Sequence, residues 1–361
     1  MIPMTTRERF LQVFHWQAPD RLPNLEFGYW DETIEPWHRQ GLPLNIHDNE
    51  AVERYLGLEG VSIFTKVPIK NGLFPAFEKK VIKDLGDRLL MQDEDGNLCE
   101  VPPGRGTMPK FLKYLIESRQ DWERVKREYL DYKNPGRIGD VKKAVDLARA
   151  SGTLVLFDPG SLYGWPRNWM GLENFSIAVM EDRPWVEEMM EHLTEMTLYL
   201  IEKGFPENGI DVGWWWEDMC YNHGPLLSPK LFQDMMVPRY KRVTEALKRR
   251  GIDLNVLDCD GRIYELVPGW IEAGINVMFP IEALHTDPFE LREIYGDRVL
   301  LLGGVNKLSL IRGREAIDRE LEGLVPLIAK GGFIPTVDHR VPPDVTYENY
   351  LYYLGKKQLI L

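Results

Sequence analysis

Apolar and polar residues follow each other along this chain in a regular order of short β-like runs and longer stretches with helical spacing. Gly152, Gly204, Gly251, Gly274 and Gly332 stand where a helix should end, just ahead of the next run. This order predicts right-handed βαβ units in a parallel sheet, and eight runs indicate a closed (β/α)8 barrel of the TIM-barrel class. The predicted strands are residues 22–28, 61–66, 153–158, 212–217, 254–260, 276–282, 299–303 and 333–339.

Helical spacing is clearest over residues 140–150, 184–203, 229–250 and 314–330. A further helix is expected near the amino terminus, where Thr5 and Glu8 form a capping box ahead of an apolar stretch, and it should cover the barrel bottom. Residues 79–102 contain a central Asp-Gly-Asn turn and predict an inserted β-hairpin. A doubly wound open sheet is the alternative architecture, but no glycine-rich phosphate loop follows the first run.

Composition narrows the class of protein. At 361 residues and 44% hydrophobic, the chain fits one barrel domain spanning residues 1–361. A net charge of -12 argues against nucleic-acid binding, which needs a basic excess. Three cysteines are too few for a disulfide framework, and no apolar run approaches the roughly 18 residues of a membrane span. We therefore expect a cytoplasmic protein that binds neither nucleic acid nor membrane.

Catalytic groups of such a barrel come from the carboxyl ends of its strands, so the polar residues that end the runs are the candidates. The fifth run ends in Asp258, Cys259 and Asp260. Strand alternation puts the two carboxylates on one face, where a cation, a shared proton or a basic neighbour would relieve their repulsion. The alternative for Asp260 is a turn that caps the next helix, and Cys259 is expected to be a core thiol.

Three other runs end in ionisable residues. Glu217 shares a strand face with Trp215, and an indole beside a carboxylate raises its pKa, as a general acid or base requires. An ion pair with a loop arginine is the alternative for Glu217. Glu282 ends the sixth run and His339 ends the eighth. Asp258, Asp260, Glu217 and His339 together would form an oxygen-rich metal site suited to zinc, manganese or iron.

The sequence resembles the uroporphyrinogen decarboxylase superfamily, which also contains corrinoid-dependent methyltransferases. The motifs are Trp-Glu-Asp-Met at 216–219, Ser-Pro-Lys-Leu-Phe at 228–232, Pro-Arg-Tyr at 238–240, Asp-Cys-Asp-Gly at 258–261, and Gly-Gly-Phe-Ile-Pro at 331–335. The resemblance implies a barrel with its site at the strand ends. The arginine-rich stretch of the decarboxylase is replaced here by the acidic, aromatic residues 26–32, which would repel a polycarboxylate porphyrinogen.

Relatives on the methyltransferase branch bind zinc through a His-x-Cys pair and a later cysteine. Asp258, Asp260 and His339 stand at those positions, so the resemblance implies a harder ligand set suited to an oxygen-bound methyl group. We accordingly expect a metal-assisted methyltransferase, with zinc, that moves a methyl group from a methoxy or methanol-type donor to a corrinoid carried by a partner protein. Glu217 would be the fourth ligand or the general acid.

The same hypothesis assigns the substrate contacts. Tyr29, Trp30, Trp165 and Trp215 are expected to contact a methoxylated aromatic substrate, and Glu282 is expected to contact the substrate or support the metal. The alternative is a metal-free decarboxylase or lyase acting on a small acid, which would need an arginine clamp from Arg167, Arg262 or Arg340. A barrel that only binds a ligand is the non-enzymatic alternative. A homodimer is expected by family analogy alone.

Overall fold

A curled parallel sheet of seven strands forms the centre of the molecule, in the order β1-β6-β7-β10-β11-β12-β13. The computed structural model describes residues 3–60, 64–102, 109–205 and 209–361. Strands and helices are numbered in chain order within these residues. The sheet strands are β1 (Phe64–Lys66), β6 (Leu154–Phe157), β7 (Val212–Trp216), β10 (Leu254–Asp258), β11 (Val277–Ile281), β12 (Leu300–Val305) and β13 (Phe333–Val337).

Helices connect these strands and cover the outside of the sheet. They are α1 (Thr6–Phe14), α2 (Asp31–Arg39), α3 (Asn49–Leu56), α4 (Arg119–Glu128), α5 (Val141–Ser151), α6 (Gly164–Met170), α7 (Leu172–Glu181), α8 (Arg183–Gly204), α9 (Pro229–Met235), α10 (Val237–Arg249), α11 (Val267–Glu272), α12 (Pro288–Tyr295), α13 (Lys307–Arg312), α14 (Arg314–Ala329) and α15 (Tyr347–Lys357). The predicted helix at 229–250 is two helices, because Pro238 lacks the amide that would continue the first one. None of the described helices is both long and apolar enough to cross a membrane.

Helix α1 covers one end of the sheet. Its capping box is formed: the Thr5 amide donates to Glu8 Oε2 at 2.7 Å, and the Glu8 amide donates to Thr5 Oγ1 at 3.2 Å. Phe10 and Phe14 pack in one buried cluster with residues from the starts of the central strands, such as Leu154 and Leu254. The sequence therefore predicts the position of α1 correctly: it lies at the amino ends of the strands.

The predicted first strand, residues 22–28, is not a strand in the structure. This segment meets β13 and the residues after it through a few contacts: Gly28 O accepts from the Val341 amide at 2.9 Å, and Glu26 Oε2 accepts from the Val337 amide at 2.9 Å. Pro23 also lacks an amide donor for a ladder. Within the described residues the ladder thus has seven strands, and the predicted strand at 22–28 is not one of them.

The insertion after β1 is larger than the hairpin predicted at 79–102. It is a four-stranded antiparallel sheet in the order β2 (Lys80–Asp84), β3 (Leu89–Gln92), β4 (Leu98–Val101) and β5 (Lys110–Lys113). The β3–β4 turn docks on α6, where Asn97 Nδ2 donates to Asn168 O at 3.2 Å. A small hairpin of β8 (Cys220–Tyr221) and β9 (Gly224–Pro225) follows β7.

Candidate functional site

A cavity of about 320 Å³ lies inside the curled sheet, at the low end of the roughly 300–1,000 Å³ typical of small-molecule sites. Inward-facing residues of alternate strand positions form its wall, as period-two alternation requires. The described lining consists of Leu25, Glu26, Phe27, Gly60, Phe64, Lys66, Leu156, Trp214, Asp258, Phe279, Leu302 and Thr336. The wall is therefore mostly apolar and aromatic, with few polar groups.

Four aromatic rings, which we call the aromatic collar, follow each other along this wall. Phe64 meets Trp214 edge to face at 5.1 Å between ring centroids, and Trp214 meets Phe279 at 5.2 Å. Phe279 in turn meets Phe27 at 4.6 Å. Successive edge-to-face contacts hold each ring in one orientation. The collar thus offers a rigid apolar surface suited to a flat ligand.

Asp258 is the acidic group at this cavity without a protein partner. It ends β10 and faces inward as alternation predicted, and its carboxyl receives no hydrogen bond from the described residues, although its backbone carbonyl accepts from the Glu217 amide at 3.0 Å. Burial raises the pKa of Asp258 well above its usual value, and the nearby Asp260 and Asp218 carboxylates raise it further, whereas Arg340 acts in the opposite direction. The structure therefore favours a protonated carboxyl that points into an apolar cavity.

Asp260 and His339 come together near Asp258. His339 Nε2 lies 3.3 Å from Asp260 Oδ2, and the other oxygen of Asp260 is buried without a hydrogen-bond partner in the described structure. Trp30 stacks on the imidazole at 5.5 Å between centroids, and Phe27 packs edge-on against it at 5.3 Å. Three predicted site residues, Asp258, Asp260 and His339, therefore occupy the same end of the sheet.

Glu217 is separated from them. Its side chain lies on the helix-facing side of β7, fully buried, and its Oε1 accepts from the Leu162 amide at 2.8 Å and from Tyr240 OH at 2.6 Å. Its Oε2 accepts from Ser161 Oγ and the Tyr163 amide, both at 2.7 Å. Burial raises the pKa of Glu217, while these hydrogen bonds lower it. The carboxylate anchors the loop after β6, and the predicted roles of metal ligand and general acid do not fit this position.

Glu282 also serves the framework of the site. Its Oε2 accepts from the Gly261 amide at 2.8 Å, and its Oε1 accepts from Lys307 Nζ at 2.8 Å. Asp338 accepts from the Lys307 amide at 3.1 Å, and burial raises the pKa of Asp338 to about 6. These contacts connect the loops that carry Asp260 and His339, so Glu282 holds the backbone of the site in place. Glu282 is not among the described residues that line the cavity.

The aromatic residues predicted to contact substrate divide into two groups. Tyr29 and Trp215 belong to the outer core: the Tyr29 hydroxyl pairs with Tyr350 at 2.8 Å, and Trp215 Nε1 donates to Asn255 Oδ1 at 3.2 Å. Trp165 packs on Trp169 at 5.9 Å, outside the described lining. Of these four predicted residues, Trp30 alone lies next to the Asp260–His339 pair, where it stacks on His339.

The predicted ligand set does not fit a metal ion as placed. Both carboxylate oxygens of Glu217 accept hydrogen bonds on the helix-facing side of β7. Glu217 therefore does not share a site with the other three predicted ligands, which are Asp258, Asp260 and His339. Among the described residues, no group of three or more His, Cys, Asp or Glu side chains is arranged to hold an ion. Of the three arginines considered for a clamp, Arg167 pairs with Asp218 and Arg262 pairs with Glu265. The third, Arg340, lies over the rings of Trp30 and Phe27 at 5.4 and 5.9 Å, near Asp258.

Sequence reasoning missed Lys66 and most of the aromatic collar. Lys66 ends the second predicted run, so the rule that selected Asp258 would have selected it too. Phe64 and Phe279 carried no signal, because an apolar residue in a strand is normally core.

Comparison with known proteins agrees with this architecture. The family described as uroporphyrinogen decarboxylase (URO-D) matches residues 96–354. The chain belongs to this family. The match includes the predicted motifs from 216 onward, and it confirms the resemblance read from the sequence. Among solved structures, this URO-D member is similar to a methyltransferase from Methanosarcina mazei, with a TM-score of 0.60 and 15% identity over 99% of both chains. At that identity the likeness establishes a shared fold.

Proposed function

We propose that this URO-D family member is an enzyme that transfers the methyl group of an oxygen-bound donor, of methoxy or methanol type, to a corrinoid carried by a partner protein. The observation that carries the proposal is Asp258, a carboxyl without a hydrogen-bond partner in the described structure, in an aromatic cavity and with a raised pKa. The fold shared with a methanogen methyltransferase supports the same reaction class.

The chemistry requires an acid at the departing oxygen. As the carbon–oxygen bond breaks, its electron pair stays on oxygen, and a proton must arrive there to avoid an alkoxide or phenolate in an apolar cavity. Asp258 supplies that proton, because burial and the adjacent Asp260 charge favour its protonated form. The reduced corrinoid supplies the nucleophile that takes the methyl group.

The other residues of the site position this acid. Asp260, held near His339, places a negative charge next to Asp258 and maintains its raised pKa. The aromatic collar excludes water and orients a flat donor. Because the predicted metal ligands do not converge, no step of this proposal runs through zinc.

Decarboxylation of a small acid is the second candidate. Membership of the URO-D family favours this second candidate. The same protonated Asp258 would deliver its proton to the carbon from which carbon dioxide has departed. That reaction needs a cation at the carboxylate that leaves. Arg167 and Arg262 are already paired with Asp218 and Glu265, so Arg340, which lies over the Trp30 ring near Asp258, would have to supply it. We favour methyl transfer because the fold is shared with a methanogen methyltransferase and because residues 26–32, which replace the arginine-rich stretch of the decarboxylase, are acidic and aromatic.

Free cob(I)alamin can replace the partner protein in a test. The protein is incubated with cob(I)alamin and either methoxybenzene or methanol, and loss of cob(I)alamin absorbance is measured alongside carbon dioxide release from benzoate. We expect methyl transfer that falls about 100-fold or more in Asp258→Asn, the usual contribution of a general acid. The matched control is Asp253→Asn, an exposed carboxylate beside His15, which should change nothing.

Three results would overturn the proposal: an Asp258→Asn variant as active as wild type, carbon dioxide release in place of methyl transfer, or neither reaction with any of these donors. The pH profile adds a check. Activity should decline as pH rises through the raised pKa of Asp258, because the acid is then lost.

A further inference from the structure

Two of the three cysteines meet next to the candidate site. Cys259 stands between Asp258 and Asp260 in the chain, and Cys220 begins β8. The two thiols are hydrogen-bonded to each other, and the Cys259 sulfur also accepts from the Met219 amide at 3.4 Å. Sulfurs in such contact need only a small movement to reach the roughly 2 Å bond of a disulfide. We call these two residues the thiol pair.

A buried hydroxyl lies beside the thiol pair. Tyr163 OH has no hydrogen-bond partner among the described residues, and Tyr163 is 1% exposed. Burial raises the pKa of this hydroxyl, Arg167 acts in the opposite direction, and the neighbouring Cys220 and Cys259 raise it further. The hydroxyl therefore keeps its proton, which it can donate in a hydrogen bond to a sulfur that becomes a thiolate. The thiolate is the form of cysteine that reacts with an oxidant.

A surface cavity of about 220 Å³ gives small molecules a route toward this hydroxyl. Its lining includes Tyr163, Leu226 and Leu227. The Leu226 amide donates to Met219 O at 2.8 Å, directly before Cys220, so the cavity borders the hairpin of β8 and β9. A molecule the size of hydrogen peroxide, little larger than the roughly 30 Å³ of a water, fits this cavity easily.

The hairpin also packs against the loop that follows β10. The Arg262 amide donates to Tyr221 O at 3.0 Å, and a Cβ at Gly261 would lie 2.8 Å from the same oxygen, so glycine permits this contact. Within the same loop, the Cys259 thiol donates to Asp260 O at 3.7 Å. A disulfide would remove that donor and draw the loop toward the hairpin. Oxidation would therefore displace the acidic groups of the site.

We propose that the thiol pair is a redox-sensitive switch, which a small hydroperoxide oxidises to a disulfide that stops turnover. The Cys220 sulfur, which is 5% exposed against 1% for Cys259, attacks one oxygen of hydrogen peroxide. The O–O bond breaks, one water leaves, and Cys220 becomes a sulfenic acid. The Cys259 sulfur then attacks the Cys220 sulfur, and the sulfenic oxygen leaves as a second water. Two thiols lose two electrons and two protons to the peroxide, and a dithiol reverses the change by exchange.

Peptide mapping without reduction tests the bond separately from turnover. Reduced protein is treated with a small excess of hydrogen peroxide, alkylated, digested and analysed by mass spectrometry. We expect one disulfide, between Cys220 and Cys259, and the loss of two of the three free thiols when the denatured protein is titrated. The matched control Cys99→Ser removes the cysteine of β4 and should retain the disulfide, whereas Cys220→Ser should form none. A wild-type map without this disulfide, or with Cys99 as a partner, would overturn the proposal.

The effect on turnover rests on the proposed function, in which the acceptor is a reduced corrinoid that peroxide also oxidises. After the peroxide is removed, the initial rate of methyl transfer should fall at least about tenfold, because the general acid is displaced. Dithiothreitol should restore the rate, and Cys220→Ser should keep its rate after the same treatment. A complete disulfide with an unchanged rate would overturn the switch. The mapped disulfide, found in a protein that transfers no methyl group even when reduced, would support the thiol pair and overturn methyl transfer.

Discussion

The pair of Glu26 and Lys357 joins the segment at 22–28 to α15, and replacing one partner tests how much this buried contact stabilises the fold. Both side chains are 0% exposed, and Lys357 Nζ donates to Glu26 Oε1 and to Leu25 O, each at 2.6 Å. Glu26 also accepts from Tyr353 OH at 2.7 Å and from the Val337 amide at 2.9 Å. Replacing Lys357 by Met roughly keeps the length of the side chain and removes its charge.

The structure sets the size of the effect. Lys357→Met leaves a carboxylate fully buried without its cation and leaves Leu25 O without its donor. Breaking a buried pair on one side costs about 3–5 kcal/mol, a large share of the roughly 5–15 kcal/mol by which domains are stable. In Glu26→Gln/Lys357→Met no charge is stranded, so we expect at least about half of the loss to be recovered.

Urea denaturation at neutral pH, followed by circular dichroism, gives the free energies of unfolding. Lys356→Met is the matched control, because this neighbour on α15 is 41% exposed and pairs with Asp318. It should cost at most about 1 kcal/mol. A Lys357→Met variant no less stable than Lys356→Met would refute the reasoning. So would a double variant as unstable as Lys357→Met.

Two further predictions concern buried carboxylates near the site. Glu217→Gln should destabilise the fold by roughly 3 kcal/mol in urea, because an amide NH2 group would face donors such as Tyr240 OH and the Leu162 amide; a fully stable variant without activity would instead indicate a direct chemical role. Asp338 has its pKa raised from 3.8 to about 6, so its contribution to stability is present below about pH 4 and is lost as pH rises through 6. The stability of wild type relative to Asp338→Asn should therefore fall by about 2 kcal/mol between pH 4 and pH 7, and a difference that does not change with pH would contradict the assignment.

Local spacing by itself determined several features of this protein. Alternation in one strand put Asp258 on a different face from Cys259, and the structure has Asp258 at the cavity and Cys259 in the outer core. The Thr5–Glu8 spacing likewise predicted where α1 begins. Such features follow from backbone geometry and from neighbours a few residues away, so the sequence is sufficient for them.

The tertiary structure alone decided which face of β7 looks inward. Both faces carry tryptophan, so hydrophobicity cannot rank them. Pairing with β10 sets Trp214 beside Val256 in the interior and turns Glu217 toward Tyr240. The partners of that carboxylate lie 23 and more residues away in the chain, and their donors make it a structural anchor. The alternation of apolar and polar residues within one strand therefore cannot show that Glu217 faces away from the cavity.

The segment at 22–28 shows the same limit. Its apolar pattern suits a strand, but a strand exists only where a neighbouring backbone continues the ladder. Here Glu26 instead bonds to Val337 and to Lys357, which are 311 and 331 residues away. Residue types and alternation predicted the seven strands of the central sheet and the inward face of Asp258. Long-range packing decided that residues 22–28 form no strand, which carboxylates face the cavity and which hold the fold together.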